Sequence, residues 1–168
     1  CRGAAPRAWG SRGSAYGGEC GAAGAGPSRL YPAARETLAP LRDAGLRLAV
    51  ATGKGRKGLD RVWASSGLGD SFDASRCADE THSKPHPAMV TELLTELGVA
   101  PERALVVGDT SFDLQMARDA GVDRVAVSYG AHPVDRLMNF HPLAVIDALP
   151  QLLPLLGVDC ETHFEETV

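Results

Sequence analysis

The sequence predicts an α/β fold in which helices cover a parallel β-sheet. Short apolar segments, typical of buried strands, alternate with segments of helical length over residues 30–157. Glycines follow the ends of most helical segments, as they commonly do where a helix stops. Strands and helices that alternate in this way form βαβ units, whose strands run parallel.

The first half of this region contains three predicted helices and two predicted strands. Pro32 and Pro85 are placed in the first turn of a helix, where the N–H that proline lacks would be unpaired in any case. Met89, Leu93 and Leu97 then fall on one helix face. The helices are predicted over residues 32–41, 55–66 and 85–97, and the strands over residues 46–51 and 72–77.

The second half continues the same alternation. Thr110 is a suitable N-cap for the helix that Gly121 ends, and Asp147 is a suitable N-cap for the last helix. The strands are predicted over residues 104–107, 124–128 and 144–146, and the helices over residues 111–120, near 134 and over 148–156.

Three segments of different composition divide the chain. Residues 1–29 are rich in Gly and Ala and show neither strand nor helix periodicity, so an irregular segment is predicted there. Residues 30–157 carry the α/β pattern, and residues 158–168 form an acidic tail. The chain begins with Cys1 and not with methionine, which suggests a fragment, a processed product or an altered reading frame.

The composition predicts a cytoplasmic protein. A net charge of −4 argues against nucleic acid and anionic membrane surfaces as partners. No apolar run approaches the ~20 residues that are needed to span a bilayer. The four cysteines form no C-x-x-C pair and are interpreted as unpaired thiols of a reducing compartment.

Two carboxylates lie beside the end of the strand predicted over residues 104–107. Asp109 follows that strand at the edge where open α/β sheets bind their ligands, and Asp113 returns to the same side one helical turn later. Paired carboxylates suit a hard cation such as Mg²⁺, which prefers oxygen ligands. The alternative is that Asp109 caps the helix and Asp113 faces water.

Thr52, Gly53 and Lys54 follow the strand over residues 46–51. A hydroxyl and backbone N–H groups at a helix N-terminus form a natural site for phosphate. The alternative for Thr52 is a simple helix cap.

The overlapping segment from Gly53 to Gly58 also matches the G-x-G-x-x-G pattern of dinucleotide-binding proteins. Asp70 and Asp73 lie near the spacing of a ribose-binding acid. A dinucleotide-binding oxidoreductase is therefore a remote alternative.

Lys84 directly precedes the helix that begins at Pro85. A cation at this end opposes the positive partial charge of a helix N-terminus. Both a solvated loop lysine and a lysine that reaches into an anion site are open interpretations. His82 and His86 have no third ligand at metal-binding spacing and are interpreted as ordinary loop residues.

This order of hydroxyl, lysine and paired acids resembles the haloacid dehalogenase (HAD) superfamily of phosphohydrolases, and most closely its phosphoglycolate-phosphatase-like branch. The spacing is 32 positions from Thr52 to Lys84 and 25 positions from Lys84 to Asp109. The resemblance implies a HAD-type Rossmann-like parallel sheet with flanking helices. The segments that carry it are residues 31–38, 48–54, 83–87, 107–113 and 144–149.

In that family an aspartate attacks phosphorus to form an aspartyl-phosphate that water hydrolyses, and Mg²⁺ neutralises charge beside the phosphate. The resemblance implies that Thr52 hydrogen-bonds a phosphoryl oxygen and that Lys84 pairs with the phosphoryl group. It also implies that Asp109 coordinates Mg²⁺ and that Asp113 joins or orients the metal site. The further candidates for substrate contact are Gly53 and Lys54.

The chain lacks the first motif of the family, Asp-x-Asp-Gly-Thr, which carries the nucleophile and the general acid on the first strand. The resemblance therefore implies a core without its first, central strand and without most of the cap domain, with residues 1–29 as an irregular segment or a cap remnant. Such a chain is predicted to be nearly inactive. Self-association through the open gap in the sheet is predicted unless residues 1–29 or another chain fills it.

The predicted function is that of a Mg²⁺-dependent phosphohydrolase acting on a small phosphate monoester such as phosphoglycolate, in a truncated form. A small phosphorylated metabolite is the predicted partner. The alternative is a non-catalytic relative that keeps a phosphate or Mg²⁺ site and serves in binding or regulation.

Overall fold

The computed structural model describes residues 14–17 and 33–158, and in this part of the chain six parallel strands form one sheet. The strands are β1 (Ser14–Gly17), β2 (Arg47–Thr52), β3 (Ala74–Cys77), β4 (Ala104–Gly108), β5 (Asp123–Val127) and β6 (Ala144–Ile146). The helices are α1 (Ala34–Asp43), α2 (Arg56–Ser66), α3 (Ala88–Leu97), α4 (Ser111–Asp119), α5 (Val134–Met138) and α6 (Leu152–Leu155). The order of the strands across the sheet is β3-β2-β1-β4-β5-β6, which confirms the predicted parallel α/β class.

The sheet is the middle of three layers. Successive residues of a strand face opposite sides, so β4 divides its apolar residues between two cores. Leu105 and Val107 pack in one cluster with Leu41 of α1 and with residues of α6. Ala104 and Val106 pack on the other side, in a cluster that α3 and α4 complete. Burial on both faces explains why the strand has a continuous apolar sequence.

The structure fills the central position of the sheet. β1 pairs with both β2 and β4, and Gly17 lies opposite Val50 and Val107. This corrects the expectation of a missing central strand and an irregular segment at residues 14–17; the other residues of the 1–29 segment lie outside the described part. Two flanking parallel strands offer backbone donors and acceptors on both edges, and such pairing needs no apolar periodicity in the segment between them.

Three predicted helix boundaries are wrong. The first helix, predicted over residues 32–41, is α1 over Ala34–Asp43, because Ala33 is in the left-handed conformation with φ 60°. α3 begins at Ala88 and not at Pro85, since a residue that precedes proline, here His86, is disfavoured in the helical conformation. The predicted last helix is divided into a 3₁₀ turn over Leu149–Gln151 and the short helix α6. Asp147 does not cap it; its carboxylate accepts a hydrogen bond of 2.5 Å from the Ser128 hydroxyl.

None of the helices in the described residues is long and apolar enough to cross a bilayer.

The position of β1 predicts slow hydrogen exchange at its backbone amides. Because the strand is paired on both edges, the amides of Ala15, Tyr16 and Gly17 should exchange on the order of 100-fold more slowly than in an unstructured peptide. Exchange followed by NMR or mass spectrometry measures this, with the amide of Val106 in β4 as the protected reference. Unprotected amides together with concentration-dependent self-association would instead indicate an empty central position.

Candidate functional site

Two strands bring their polar ends to the same edge of the sheet. Val50 of β2 and Val107 of β4 lie in one row with Gly17 of β1. Thr52 and Asp109 each lie two residues beyond this row. Because β1 lies between their strands, the two residues are separated by two strand spacings, about 10 Å. This carboxyl edge is where open α/β sheets bind ligands. The sheet register therefore places both predicted site residues around the line of the central strand.

Lys84 joins this edge through a buried ion pair. Its Nζ atom lies 2.5 Å from Oδ1 of Asp113, and the two side chains are 11% and 1% exposed. The structure thus brings together two residues that are 29 positions apart in sequence. Of the two interpretations of Lys84, the solvated loop lysine is excluded, because the ammonium group points into the carboxyl edge.

Asp113 also completes the N-terminal cap of α4. Its Oδ2 atom accepts hydrogen bonds from the Thr110 backbone N–H at 3.0 Å and from the Thr110 hydroxyl at 2.6 Å. The Thr110 hydroxyl in turn accepts the Asp113 N–H at 3.2 Å, which forms a capping box and confirms Thr110 as N-cap. A Cβ on Gly108 would lie 2.3 Å from the Asp113 Cβ, so this position requires glycine. Both carboxylate oxygens of Asp113 are therefore engaged by this chain.

Asp109 has a different environment, in which the loop after β5 surrounds it. Its Oδ2 atom accepts a 3.0 Å hydrogen bond from the Ala131 N–H, and its carbonyl accepts one of 3.1 Å from the His132 N–H. A Cβ on Gly130 would lie 2.1 Å from the Asp109 Cβ. Burial, with the charge of Asp109 as a second cause, raises the pKa of Tyr129 to about 12. That phenol is consequently protonated at neutral pH.

The loop after β2 is tied to the turn after β3. Thr52 is fully buried, and its hydroxyl accepts the Lys54 N–H at 3.1 Å. The Lys54 carbonyl accepts the Ala78 N–H at 3.0 Å. At the start of α2, both oxygens of Asp79 accept the Arg56 N–H, at 3.0 and 3.1 Å.

The contact with Asp79 argues against the dinucleotide-binding hypothesis for residues 53–58. A Cβ on Gly55 would lie 2.9 Å from Oδ2 of Asp79, so the glycine gives room to a carboxylate of the protein itself. A pyrophosphate would need this helix N-terminus, and the negative charge already there would repel it.

An ion pair between Arg56 and Glu80 also ties the loop after β2 to the turn after β3. The guanidinium group donates two hydrogen bonds of 2.7 Å to the Glu80 carboxylate, and the Cys77 N–H donates another of 2.8 Å. The hydrogen bonds from Arg56 are the main cause that lowers the pKa of Glu80 to about 2. Burial raises the pKa of the Cys77 thiol to about 11, so this cysteine is not activated as a nucleophile.

The candidate metal ligands are oxygen atoms, which suit a hard cation, but they are too few to complete a coordination shell. Asp109 is a carboxylate at the ligand-binding edge, and oxygen is the ligand atom that Mg²⁺ prefers. No group of three or more His, Cys, Asp or Glu side chains placed to hold a metal occurs within residues 14–17 and 33–158. Because Asp113 is engaged with Lys84 and Thr110, the geometry favours its orienting role over direct coordination. The metal site itself stays a prediction.

The sequence predicted Thr52, Lys84, Asp109 and Asp113, which the structure brings to one edge of the sheet; their functional roles stay predictions. The loop after β5 that contacts Asp109 was not predicted. The available signal was a glycine shortly after β5, at the edge where the other polar residues converge. The histidines predicted to be ordinary loop residues, His82 and His86, stack on each other with ring centroids 4.5 Å apart.

Residues 26–127, more than half of the chain, match the family model of haloacid dehalogenase-like hydrolases. The chain belongs to this hydrolase family. This match confirms the predicted HAD superfamily. The similarities to known proteins given next confirm its phosphoglycolate-phosphatase-like branch.

Three known proteins illustrate these similarities. This HAD-like chain is 36% identical over 132 residues to a phosphoglycolate phosphatase of Nitrosococcus oceani, with 77% of this chain and 58% of that protein covered. It is 31% identical over 129 residues to the pyrophosphatase PpaX of Halalkalibacterium halodurans, with 76% and 60% covered. The solved structure of a predicted phosphoglycolate phosphatase from Haemophilus somnus matches with a TM-score of 0.71 at 30% identity, with 78% and 59% covered. The chain thus spans less than two thirds of each of these relatives.

The link between Arg56 and Glu80 in this HAD-like chain predicts a pH-dependent contribution to stability. Glu80→Gln removes the charge that pairs with Arg56 and should therefore lower the free energy of unfolding at pH 7. The decrease should be only about 1 kcal/mol, because both side chains are partly exposed and solvent screens the pair. The folded-state pKa of Glu80 is depressed from 4.5 to about 2, so the contribution is present above pH 4.5 and is lost as the pH falls towards 2. Urea unfolding of both proteins between pH 7 and pH 2.5 measures this.

The control is Asp60→Asn, which removes the more distant partner of the same arginine, 3.9 Å away. It should change stability by no more than about 0.5 kcal/mol. A difference between wild type and Glu80→Gln that stays constant over the pH range would contradict the assignment.

Proposed function

We propose that this chain carries the phosphate-binding part of a Mg²⁺-dependent phosphohydrolase that acts on a small phosphate monoester. The buried contact between Lys84 and Asp113 is the observation that carries the proposal. It directs a cation to the edge of the sheet that Thr52 and Asp109 share. A buried cation beside a ligand-binding edge is an arrangement suited to phosphate.

Lys84 and Thr52 are proposed to bind the phosphoryl oxygens. The ammonium group of Lys84 has three N–H donors, and one of them is directed to Asp113. The other two N–H groups can donate hydrogen bonds to a phosphoryl oxygen while the ion pair with Asp113 holds the side chain in place. The Thr52 hydroxyl accepts the Lys54 N–H and retains its own proton, which it can donate to a second phosphoryl oxygen.

Asp109 is proposed to hold Mg²⁺, and Asp113 to orient the site by holding Lys84 and Thr110. When bound, Mg²⁺ neutralises negative charge on phosphoryl oxygens. The Ala131 N–H on Oδ2 limits the rotation of the Asp109 carboxylate. A carboxylate that is already held in one orientation loses less conformational freedom when it binds a metal ion.

The chain has no Asp-x-Asp pair, and none of the residues of β1, Ser14–Gly17, is a carboxylate. In the family this strand carries the aspartate that forms the aspartyl-phosphate. We therefore propose that the chain binds phosphate and Mg²⁺ and hydrolyses a phosphate ester very slowly. The second candidate function, a non-catalytic phosphate-binding relative, is favoured by the same combination of an intact Lys84–Asp113 pair and a β1 without carboxylates.

The substrate class is inferred from the names of the relatives. One is named for phosphoglycolate and another for pyrophosphate, both small anions with a terminal phosphoryl group. We propose a small phosphorylated metabolite as the partner of this site. The shared chemistry is the phosphoryl group, which the residues above are placed to bind.

Binding of inorganic phosphate in the presence of Mg²⁺ tests the site directly. Lys84→Ala should weaken phosphate binding at least about tenfold, because it removes a charge-assisted hydrogen bond. Isothermal titration calorimetry measures the dissociation constants, with Lys57→Ala, which removes an exposed lysine of α2, as the control. A thermal melt checks that each variant is folded. Equal phosphate affinity of Lys84→Ala and wild type would refute the site.

Turnover measures whether the chain hydrolyses phosphate esters at all. The 168-residue chain should release phosphate from p-nitrophenyl phosphate and phosphoglycolate several orders of magnitude more slowly than the Nitrosococcus oceani enzyme, because the chain has no Asp-x-Asp pair. A colorimetric assay for phosphate with and without Mg²⁺ measures this. Mg²⁺-dependent release that Lys84→Ala abolishes would contradict the expectation and identify an active hydrolase.

A further inference from the structure

We propose that His132 is a positioning residue that fixes the orientation of Asp109 by attaching the loop after β5 to the start of α4. We use the name clasp for the three consecutive residues Gly130, Ala131 and His132. The inference rests on the proposed function, in which Asp109 holds the metal. It names a residue for which the motif pattern of the sequence contained no signal.

The clasp contacts Asp109 in three ways. The Ala131 N–H donates to Oδ2 at 3.0 Å, and the His132 N–H donates to the Asp109 carbonyl at 3.1 Å. Gly130 approaches so closely that any Cβ would collide with the Asp109 Cβ, at 2.1 Å. The backbone of the clasp therefore determines where the Asp109 carboxylate points.

The side chain of His132 attaches the clasp to a second point. Its Nδ1 atom lies 3.0 Å from the backbone nitrogen of Ser111 and 3.2 Å from the Ser111 hydroxyl. A backbone N–H only donates, so Nδ1 is the acceptor and the ring proton is on Nε2. Ser111 is the first residue of α4, where backbone N–H groups have no partner within the helix. His132 therefore caps α4 from another element.

These contacts hold the clasp on both sides of the metal-binding position. One attachment is at Asp109, and the other is two residues later at Ser111. The Phe112 ring packs edge-on against the imidazole, with centroids 5.5 Å apart. Loss of the imidazole would remove the second attachment and allow the Ala131 N–H to move away from Oδ2. Residues that orient a metal ligand typically change metal affinity by 10–100-fold when they are replaced.

The test compares three substitutions at one position, with Mn²⁺ as the probe and the EPR signal of free Mn²⁺ as the readout. His132→Ala removes the acceptor. His132→Asn places Oδ1 where Nδ1 was, and His132→Gln places its oxygen nearer to the Nε2 position. We expect the Ala and Gln variants to bind Mn²⁺ about 10–100-fold more weakly and the Asn variant to stay within about threefold of wild type. The control is His141→Ala, an exposed histidine, which should bind like wild type.

A second readout does not depend on the metal. Hydrogen exchange of the Ala131 amide should be faster in His132→Ala than in wild type and unchanged in His132→Asn. The inference is overturned if the Ala and Gln variants bind Mn²⁺ as tightly as wild type, or if the Asn variant is as weak as the Ala variant. If wild type binds no Mn²⁺, the proposed function fails, and an Ala131 amide that exchanges equally fast in all variants then overturns the clasp as well.

Discussion

The buried ion pair between Lys84 and Asp113 is the interaction on which the arrangement of the site depends. A buried charge is stable only when an opposite charge and further hydrogen bonds accompany it. Asp113 meets this requirement with Lys84 on one oxygen and Thr110 on the other. One carboxylate thus connects the segment before α3, the end of β4 and the first turn of α4. This arrangement also requires glycine at position 108, because a Cβ there would lie 2.3 Å from the Asp113 Cβ.

This use of Asp113 separates the roles of two carboxylates that look equivalent in the sequence. Asp113 has both oxygens engaged by the protein, whereas Asp109 is oriented by backbone groups of the clasp. The first is suited to hold a cationic side chain, and the second to present a carboxylate at the ligand-binding edge. The distinction arises from neighbours and not from residue type, because hydrogen bonds to fixed donors determine what each oxygen can still do.

The HAD-like chain combines the predicted binding edge with a central strand, β1, whose sequence carries no acid. The sheet order places Thr52 and Asp109 beside β1, one at each neighbouring strand, and the ion pair with Asp113 brings Lys84 to the same edge. The residues of β1 that the structure describes contain only small or uncharged side chains by sequence. In the proposed function, phosphate is bound by residues beside the flanking strands, whereas phosphoryl transfer requires a carboxylate on the strand between them. The two properties are therefore separable in this fold.

Local patterns in the sequence determined five of the six described strands, most of the helices, the Thr110 cap and the polar residues at the strand ends. These features depend on neighbours within one or two turns, which a single sequence displays. Tertiary structure alone decided that residues 14–17 fill the centre of the sheet, that Lys84 meets Asp113, and that Gly130 and His132 surround Asp109. Each of these depends on backbone pairing or on contacts between distant segments. Such contacts leave no periodicity in the chain, because only the folded sheet brings the ends of its strands to one edge.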